Sequence, residues 1–271
     1  MKHGCAIVLS AFAIIALGGC AGAPPKTPRS APASGAREEA IRFLEHRTKE
    51  IDTVHSVVEL RWTSPDLQTP FSCRANLVFQ TPDRLRLRGT SKAFFTIFDL
   101  VVDLEEIRID IPRKKVLIRG TRSDPEWSRF AIDPDLVAVA LLAHPVPEAE
   151  KIEICEQGAN FIWKGDRTWM EIDGGIGRPT HFHREEPLTD IVWDEWDEVE
   201  GVAWPRHVKL IWPEEGGRLE IDFARVQLGR PIREGYFSEK PEDDREVLTP
   251  SKGIERWADF LEKEFEDNGQ E

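Results

Sequence analysis

The chain has 271 residues, with 49 Asp and Glu against 36 Lys and Arg and a formal charge of −13. An acidic body of this kind repels polyanions, which excludes nucleic acid as a partner and discounts anionic lipid headgroups for the bulk surface. Once both ends are set aside, roughly 200 residues remain, enough to bury one sizeable core. The first element is Lys2 followed by an apolar run from Ala6 to Leu17. A bilayer-spanning helix needs about 20 such residues, so the charged start, short apolar core and small-residue exit predict a secretory signal over residues 1–19.

The run ends in Leu17-Gly18-Gly19-Cys20. This resembles the bacterial lipobox, Leu-small-small-Cys, and the resemblance implies cleavage before Cys20 and lipidation of its thiol. Ala21, rather than Asp, follows; in enteric sorting this implies the outer membrane. Residues 20–37 are rich in Ala, Pro, Ser and Gly and lack apolar periodicity. They cannot bury enough surface to offset the entropy of ordering, so a flexible tether is expected. The expected location is the cell envelope, on the periplasmic face of the outer membrane, held by the N-terminal lipid.

Residues 38–51 read as a helix, with Ile41, Leu44 and Ile51 near helical spacing. A period of two follows, predicting strands over 54–62, 71–79, 84–89, 94–103, 106–111 and 115–120. Arg84, Arg86 and Arg88 alternate with Leu85 and Leu87, which predicts one wet and one packed face. "IDPDLVAVALLAHPVP" interrupts with Asp133 as N-cap and Pro134 at the first helical position. Its Leu136, Val137, Val139, Ala140, Leu141 and Leu142 are apolar on nearly every side, so it is buried on more than one face. Strands resume over 151–155, 159–164, 167–173, 179–184, 189–198, 202–212 and 217–228, and an amphipathic helix is expected over 251–267. Short connections imply antiparallel hairpins, and a long meander curls, so the central helix covers its concave side. The fold class is mainly β (α+β).

This order of elements resembles the lipoprotein localisation factors LolA and LolB. The likeness rests on "FQTPDRLRL" (79–87), on "RGTSKAFFTIFDLVVDLEEIRIDIPRKKVLIRG" (88–120), on "DPDLVAVALLAHPVP" (133–147) and on "EGYFSEKPED" (234–243). It covers residues 38–243 and implies an unclosed antiparallel β-barrel with a helical lid over an apolar cavity. It also implies binding of lipid or lipoprotein acyl chains, with lipoprotein insertion or transport as the task. Thr81 stands where LolA carries Arg before the hairpin Pro; with the anchor, this points to the LolB-like branch or to a wider set of lipoproteins. Residues 244–271, an acidic C-terminal helix and tail, are additional to the family pattern. Phe79, Leu85, Leu87, Ile97, Leu100, Leu136, Val139 and Leu142 are expected around a shared apolar space, the alternative being a filled core. LolB carries an exposed apolar residue on a loop between early strands, and the matching place is Thr90 to Phe95. Phe94 or Phe95 protrudes there if both lie in regular strand; alternatively one packs inward and the other covers a neighbouring strand.

Chemistry is sparse. His181 and His183 share a strand face, but no third ligand has diagnostic spacing, so a surface strand is expected and no metal. Asp190, Asp194, Glu195, Asp197 and Glu198 alternate with apolar residues as on a solvated edge or outer strand. No nucleophile elbow or phosphate loop is present, so neither an enzyme nor a cofactor is expected. Cys73 has inward parity and Cys155 outward parity, which argues against a disulfide. The alternative function is a structural or regulatory envelope lipoprotein that binds a protein partner.

Overall fold

The computed structural model describes Gly35 and residues 38–43, 51–65, 67, 70–82, 84–130, 134–143, 153–157, 160–164, 167–173, 177–185, 188–214, 216–238, 244–253 and 255–256, the side chains of 128–130, 134–135, 153–157, 160–161 and 163–164 excepted. The signal expected over 1–19, Cys20, most of the tether, Asp133, the side chain of Cys155 and the last part of the C-terminal helix lie outside these residues.

Two antiparallel meanders make one sheet. The first holds β1 (Thr53–Thr63), β2 (Phe71–Gln80), β3 (Arg84–Thr90), β4 (Thr96–Val102), β5 (Glu106–Ile111) and β6 (Val116–Thr121). The second holds β7 (Glu153–Gln157), β8 (Asn160–Lys164), β9 (Thr168–Asp173), β10 (Arg178–Glu185), β11 (Leu188–Val199), β12 (Val202–Trp212) and β13 (Gly217–Leu228). β1 pairs with β13, and this seam joins the meanders. A last strand, β14 (Glu246–Leu248), pairs in parallel with β6. The order is β14-β6-β5-β4-β3-β2-β1-β13-β12-β11-β10-β9-β8-β7, so the sheet is not closed on itself. The fold is mainly β, with a short helix α1 at residues 38–43, α2 (Pro134–Leu142), and the start of α3 at 250–253 and 255–256.

The registers define two rims. The front rim carries the β3–β4 turn at 91–95 and the β12–β13 turn at 213–216; the rear rim carries the β4–β5 turn at 103–105 and the β11–β12 turn at Glu200–Gly201. Alternation along β1 and β2 sends Val54, Val58, Leu60, Phe71, Cys73, Ala75, Leu77 and Phe79 to one buried face. α2 is buried nearly all round, from Leu136 to Ala143, and belongs to one core cluster with inward residues of both meanders. A sheet touching one helix from so many strands must curl around it. The Trp193 indole on β11 donates to the Ala140 carbonyl at 2.9 Å, which fixes α2 on the concave side. α1 covers more of that side: Ala40 is fully buried, Phe43 meets Trp196 edge-on at 5.7 Å, and Glu39 pairs with Arg178 at 2.9 Å.

Past β13 the chain straps across the convex face. Tyr236 and Phe237 pack on Val78 and Val101, which point outward yet are buried. The strap also covers Arg86, contrary to the wet face expected for the arginine row. Arg86 donates from Nε and Nη2 to both carboxylate oxygens of Asp99, at 3.0 and 2.7 Å, and from Nη1 to the Tyr236 carbonyl at 2.8 Å. Arg108 donates to the Phe237 carbonyl at 2.5 Å. Beyond the strap, β14 joins the sheet after residue 243, where the sequence reading ended the domain. Pro250 and Trp127 then both pack against Gly120, where a Cβ would have no room. β11 is an interior strand rather than an edge; its Asp190 lies on the convex face.

Candidate apolar cavity

A cavity of about 80 Å³ lies between α2 and the concave face of the sheet. Every side chain lining it is apolar. β1 gives Leu60 and Trp62, β2 Phe71 and Leu77, β3 Leu85 and Leu87, β4 Phe98 and Leu100, and β5 Ile109; β12 and β13 give Leu210, Leu219 and Ile221. α2 contributes Val137, Ala140 and Leu141. Cross-strand pairing places these side chains together: Trp62 sits between Phe71 and Leu219, and Leu87 between Leu77 and Leu100. Such a wall offers hydrocarbon a dry surface and offers a headgroup no hydrogen bond.

Gly89 shapes one wall. It faces Phe98 across β3 and β4, and a Cβ there would overlap the Phe98 ring. The missing side chain lets the ring lie over β3, where it also meets Phe71 at 6.4 Å between centroids. At its rear end the cavity wall reaches Leu85, which shares a cross-strand row with Val54, Phe79 and Ile107; Val54 and Ile107 are fully buried and Phe79 is 1% exposed.

Of the residues expected around a shared space, Leu85, Leu87 and Leu100 line the cavity. Phe79, the cross-strand partner of Leu85, is buried in the core rather than on the cavity wall. Ile97 is buried beside a register shift between β3 and β4; Phe98 shares the inward parity of Leu100 and takes the wall position. Leu136, Val139 and Leu142 are buried in the core, while α2 turns Val137, Ala140 and Leu141 to the cavity. A helix apolar all round carries no periodicity that selects its cavity face. Trp62, Phe71, Leu210 and Leu219 went unassigned; their signal was inward parity at the front end of their strands.

The β3–β4 turn presents a second apolar feature. Phe94 is 87% exposed and Phe95 61%, so neither packs inward. β4 begins only at Thr96, which removes both from the strand. Phe94 sits at φ +65, a left-handed conformation unfavourable for a bulky side chain. The turn is held by Phe94 N–H to the Ser91 carbonyl at 2.9 Å, Ser91 N–H to the Phe95 carbonyl at 2.9 Å, and Phe95 N–H to Ser91 Oγ at 3.2 Å. Lys92 is exposed beside them.

His181 and His183 share one acceptor on the convex face. Their Nε2 and Nδ1 lie 2.9 and 2.8 Å from Asp190 Oδ1, and Trp169 stacks on His183. Among the described residues, no group of three His, Cys, Asp or Glu side chains is placed to hold a metal ion. Cys73 is a free, buried thiol on β2; burial, with the nearby Glu59 carboxylate, pushes it up to about 12. No helix among the described residues is long and apolar enough to cross a membrane.

Solved structures share this architecture. A LolA superfamily protein from Nitrosomonas europaea matches with a TM-score of 0.50 and 14% identity, covering 74% of this chain and 97% of the other. The chain has a LolA-like fold. A DUF1329 family protein from Desulfovibrio piger also matches, with a TM-score of 0.52 and 11% identity over 77% of this chain and 98% of its own. No family model matches the chain, and no curated protein matches its sequence. At these identities the LolA-like likeness is one of fold, and function is argued from the site.

Proposed function

We propose that this chain is an envelope lipoprotein, anchored through Cys20 to the periplasmic face of the outer membrane, that binds an acyl chain of a lipid or lipoprotein and takes part in its insertion or transport. The observation that carries this reading is a cavity lined solely by apolar side chains, between a curled sheet and α2. Burial of hydrocarbon there gains about 25 cal/mol per Å² and involves no bond chemistry. The exposed Phe94–Phe95 turn is the proposed contact with the bilayer, and Lys92 beside it favours anionic headgroups despite the acidic body. Residues 20–37 would be the tether that lets the domain reach that surface.

The test is mass spectrometry of lipids carried by mature protein purified from membranes, for the parent and for Val137→Arg. Val137 is partly exposed, so a charged replacement can reach water while obstructing the cavity. The parent should carry acyl chains and the variant should lose them. A parent free of acyl chains would refute the reading and favour a lipoprotein that binds a protein partner.

A further inference from the structure

Two neighbouring turns stand on the front rim of the first meander. One is the β3–β4 turn, with Lys92, Phe94 and Phe95. The other is the β5–β6 turn at 112–115, where Arg113, Lys114 and Lys115 are consecutive cations in a chain of formal charge −13. Asp99 faces Asp110 across β4 and β5, and carrying that register forward sets Ile111, the last residue of β5, opposite Phe98. The basic turn therefore stands level with the first residues of β4, behind the Phe turn and about 5–10 Å to its side, one to two strand spacings.

The basic turn is firmly held. Lys115 lies at φ +51, in the left-handed region, and its N–H donates to the Pro112 carbonyl at 3.1 Å. Its carbonyl accepts the Glu246 N–H at 2.7 Å, and its ammonium donates to Asp244 at 2.6 Å. Asp244 offsets part of the charge, but both members of that pair are exposed, so it is weak and open to exchange. Arg113 is exposed as well, and Lys114 is half-buried.

Charge is sorted between the rims. The rear rim carries Asp103 and Glu105 in the β4–β5 turn, with Glu198 and Glu200 beside Gly201. On the front rim, Glu214 of the β12–β13 turn lies four strand spacings from β4. That is about 19 Å along the sheet, beyond a Debye length of about 8 Å. An anionic surface thus attracts the front rim of the first meander and repels the rear rim. Two exposed rings seek an apolar medium, and the cations beside them seek anions. A bilayer with anionic phospholipids supplies both within the depth of one turn, acyl chains for the rings and phosphates for the cations.

We infer that the β5–β6 turn is an anionic-headgroup site that acts together with the Phe94–Phe95 turn, so that the domain docks front rim first on an anionic phospholipid surface, with its acidic rear rim turned away. This rests on the bilayer contact proposed above for the Phe turn, and not on acyl binding in the cavity. It adds a second contact element, the lipid charge that element requires, and the orientation of the domain.

The test is vesicle binding by the mature chain made unlipidated as Cys20→Ser, on phosphatidylcholine alone and on equal parts phosphatidylcholine and phosphatidylglycerol. The parent should bind the mixed vesicles more tightly, and added salt should weaken that binding. Arg113→Gln, Lys114→Gln should weaken it about 25-fold, about fivefold for each charge near an anionic surface, and leave binding to phosphatidylcholine unchanged. Arg113→Lys, Lys114→Arg keeps both charges and should bind as the parent does; a loss here too would assign the effect to the shape of the turn and overturn the headgroup site. A polarity-sensitive dye on Ala93→Cys should report entry into an apolar medium, and the same dye on Leu104→Cys, at the rear rim, should not; Cys73 is buried and stays unlabelled. Equal responses at the two positions would overturn the orientation. Unchanged affinity of the Gln variant would overturn the headgroup site and leave the Phe contact standing. A parent that binds neither vesicle would overturn both. Acyl binding is judged apart, because Val137→Arg should bind vesicles as the parent does.

Discussion

Replacing Asp99 by Asn tests whether the strap is held by charge. Arg86 has 5% of its side-chain surface exposed and Asp99 13%, so their bidentate pair is largely desolvated. Arg88 adds two more hydrogen bonds to Asp99 Oδ2, at 3.1 and 2.7 Å. Burial alone would push the Asp99 carboxyl up, but the hydrogen bonds and charges of Arg86 and Arg88 outweigh it and hold the group below the usual carboxylate range. Asn keeps the shape, removes the negative charge and leaves the Arg86 guanidinium buried against the neutral Tyr236 carbonyl and ring and the new amide. Breaking a buried pair from one side costs about 3–5 kcal/mol. For a domain of this size that lowers Tm by roughly 6–20 °C, at about 2–4 °C per kcal/mol. Replacing both Arg86 and Asp99 by Leu should cost much less, because the charge left behind, Arg88, is 43% exposed and can turn to water, and Val78 and Val101 already make the neighbouring surface apolar. Urea titration gives the free energies. The pH dependence gives a second readout: a carboxyl depressed on folding stabilises fully above its unfolded value of about 4 and loses that contribution as pH falls through its folded value. The parent should therefore weaken on acidification below about pH 4, and Asp99→Asn should weaken less steeply there. A loss below about 1 kcal/mol, as for an exposed pair, with an unchanged acid slope, would refute the reasoning.

A Phe94→Glu, Phe95→Glu variant made without the lipid should lose binding to anionic liposomes while its stability stays within about 0.5 kcal/mol, since both rings are exposed; equal binding would remove the turn from the mechanism. Cys20→Ala should leave an uncleaved precursor or move the protein out of the membrane fraction, and labelled fatty acid still attached to the mutant would disprove the lipobox reading. Cys73 should resist iodoacetamide at pH 8 in the folded state and react once urea unfolds the chain, because burial holds it as the unreactive thiol; fast labelling of the native protein at that site would show that β2 opens.

Period-two text located thirteen strands nearly in full, since alternation records a strand wherever one face is buried and the other solvated. Where a second layer covers the outer face, alternation misleads: Arg86 reads as wet, and only the strap at Tyr236–Phe237, some 150 residues away, buries it. β14 was missed because three residues, with only Leu248 buried, carry no periodicity of their own. At the site, Leu85, Leu87 and Leu100 were legible by parity along β3 and β4. The face of α2 was not, because its sequence is apolar in every direction. Phe98 was passed over for Ile97 because the register shift at Gly89–Thr90 buries both neighbours and leaves parity without contrast.

The seam between β1 and β13 brings Thr53 to Arg230, 177 residues apart. During synthesis the first meander is complete long before either of its borders is covered. β1 waits for β13 and β6 waits for β14, and both partners come from the last quarter of the chain. A nascent or truncated chain ending before residue 217 thus carries two open strand borders, each able to recruit another copy. Expression should yield aggregates in proportion to how slowly residues 217–248 become available, and C-terminal truncations should aggregate more severely than N-terminal ones of equal length.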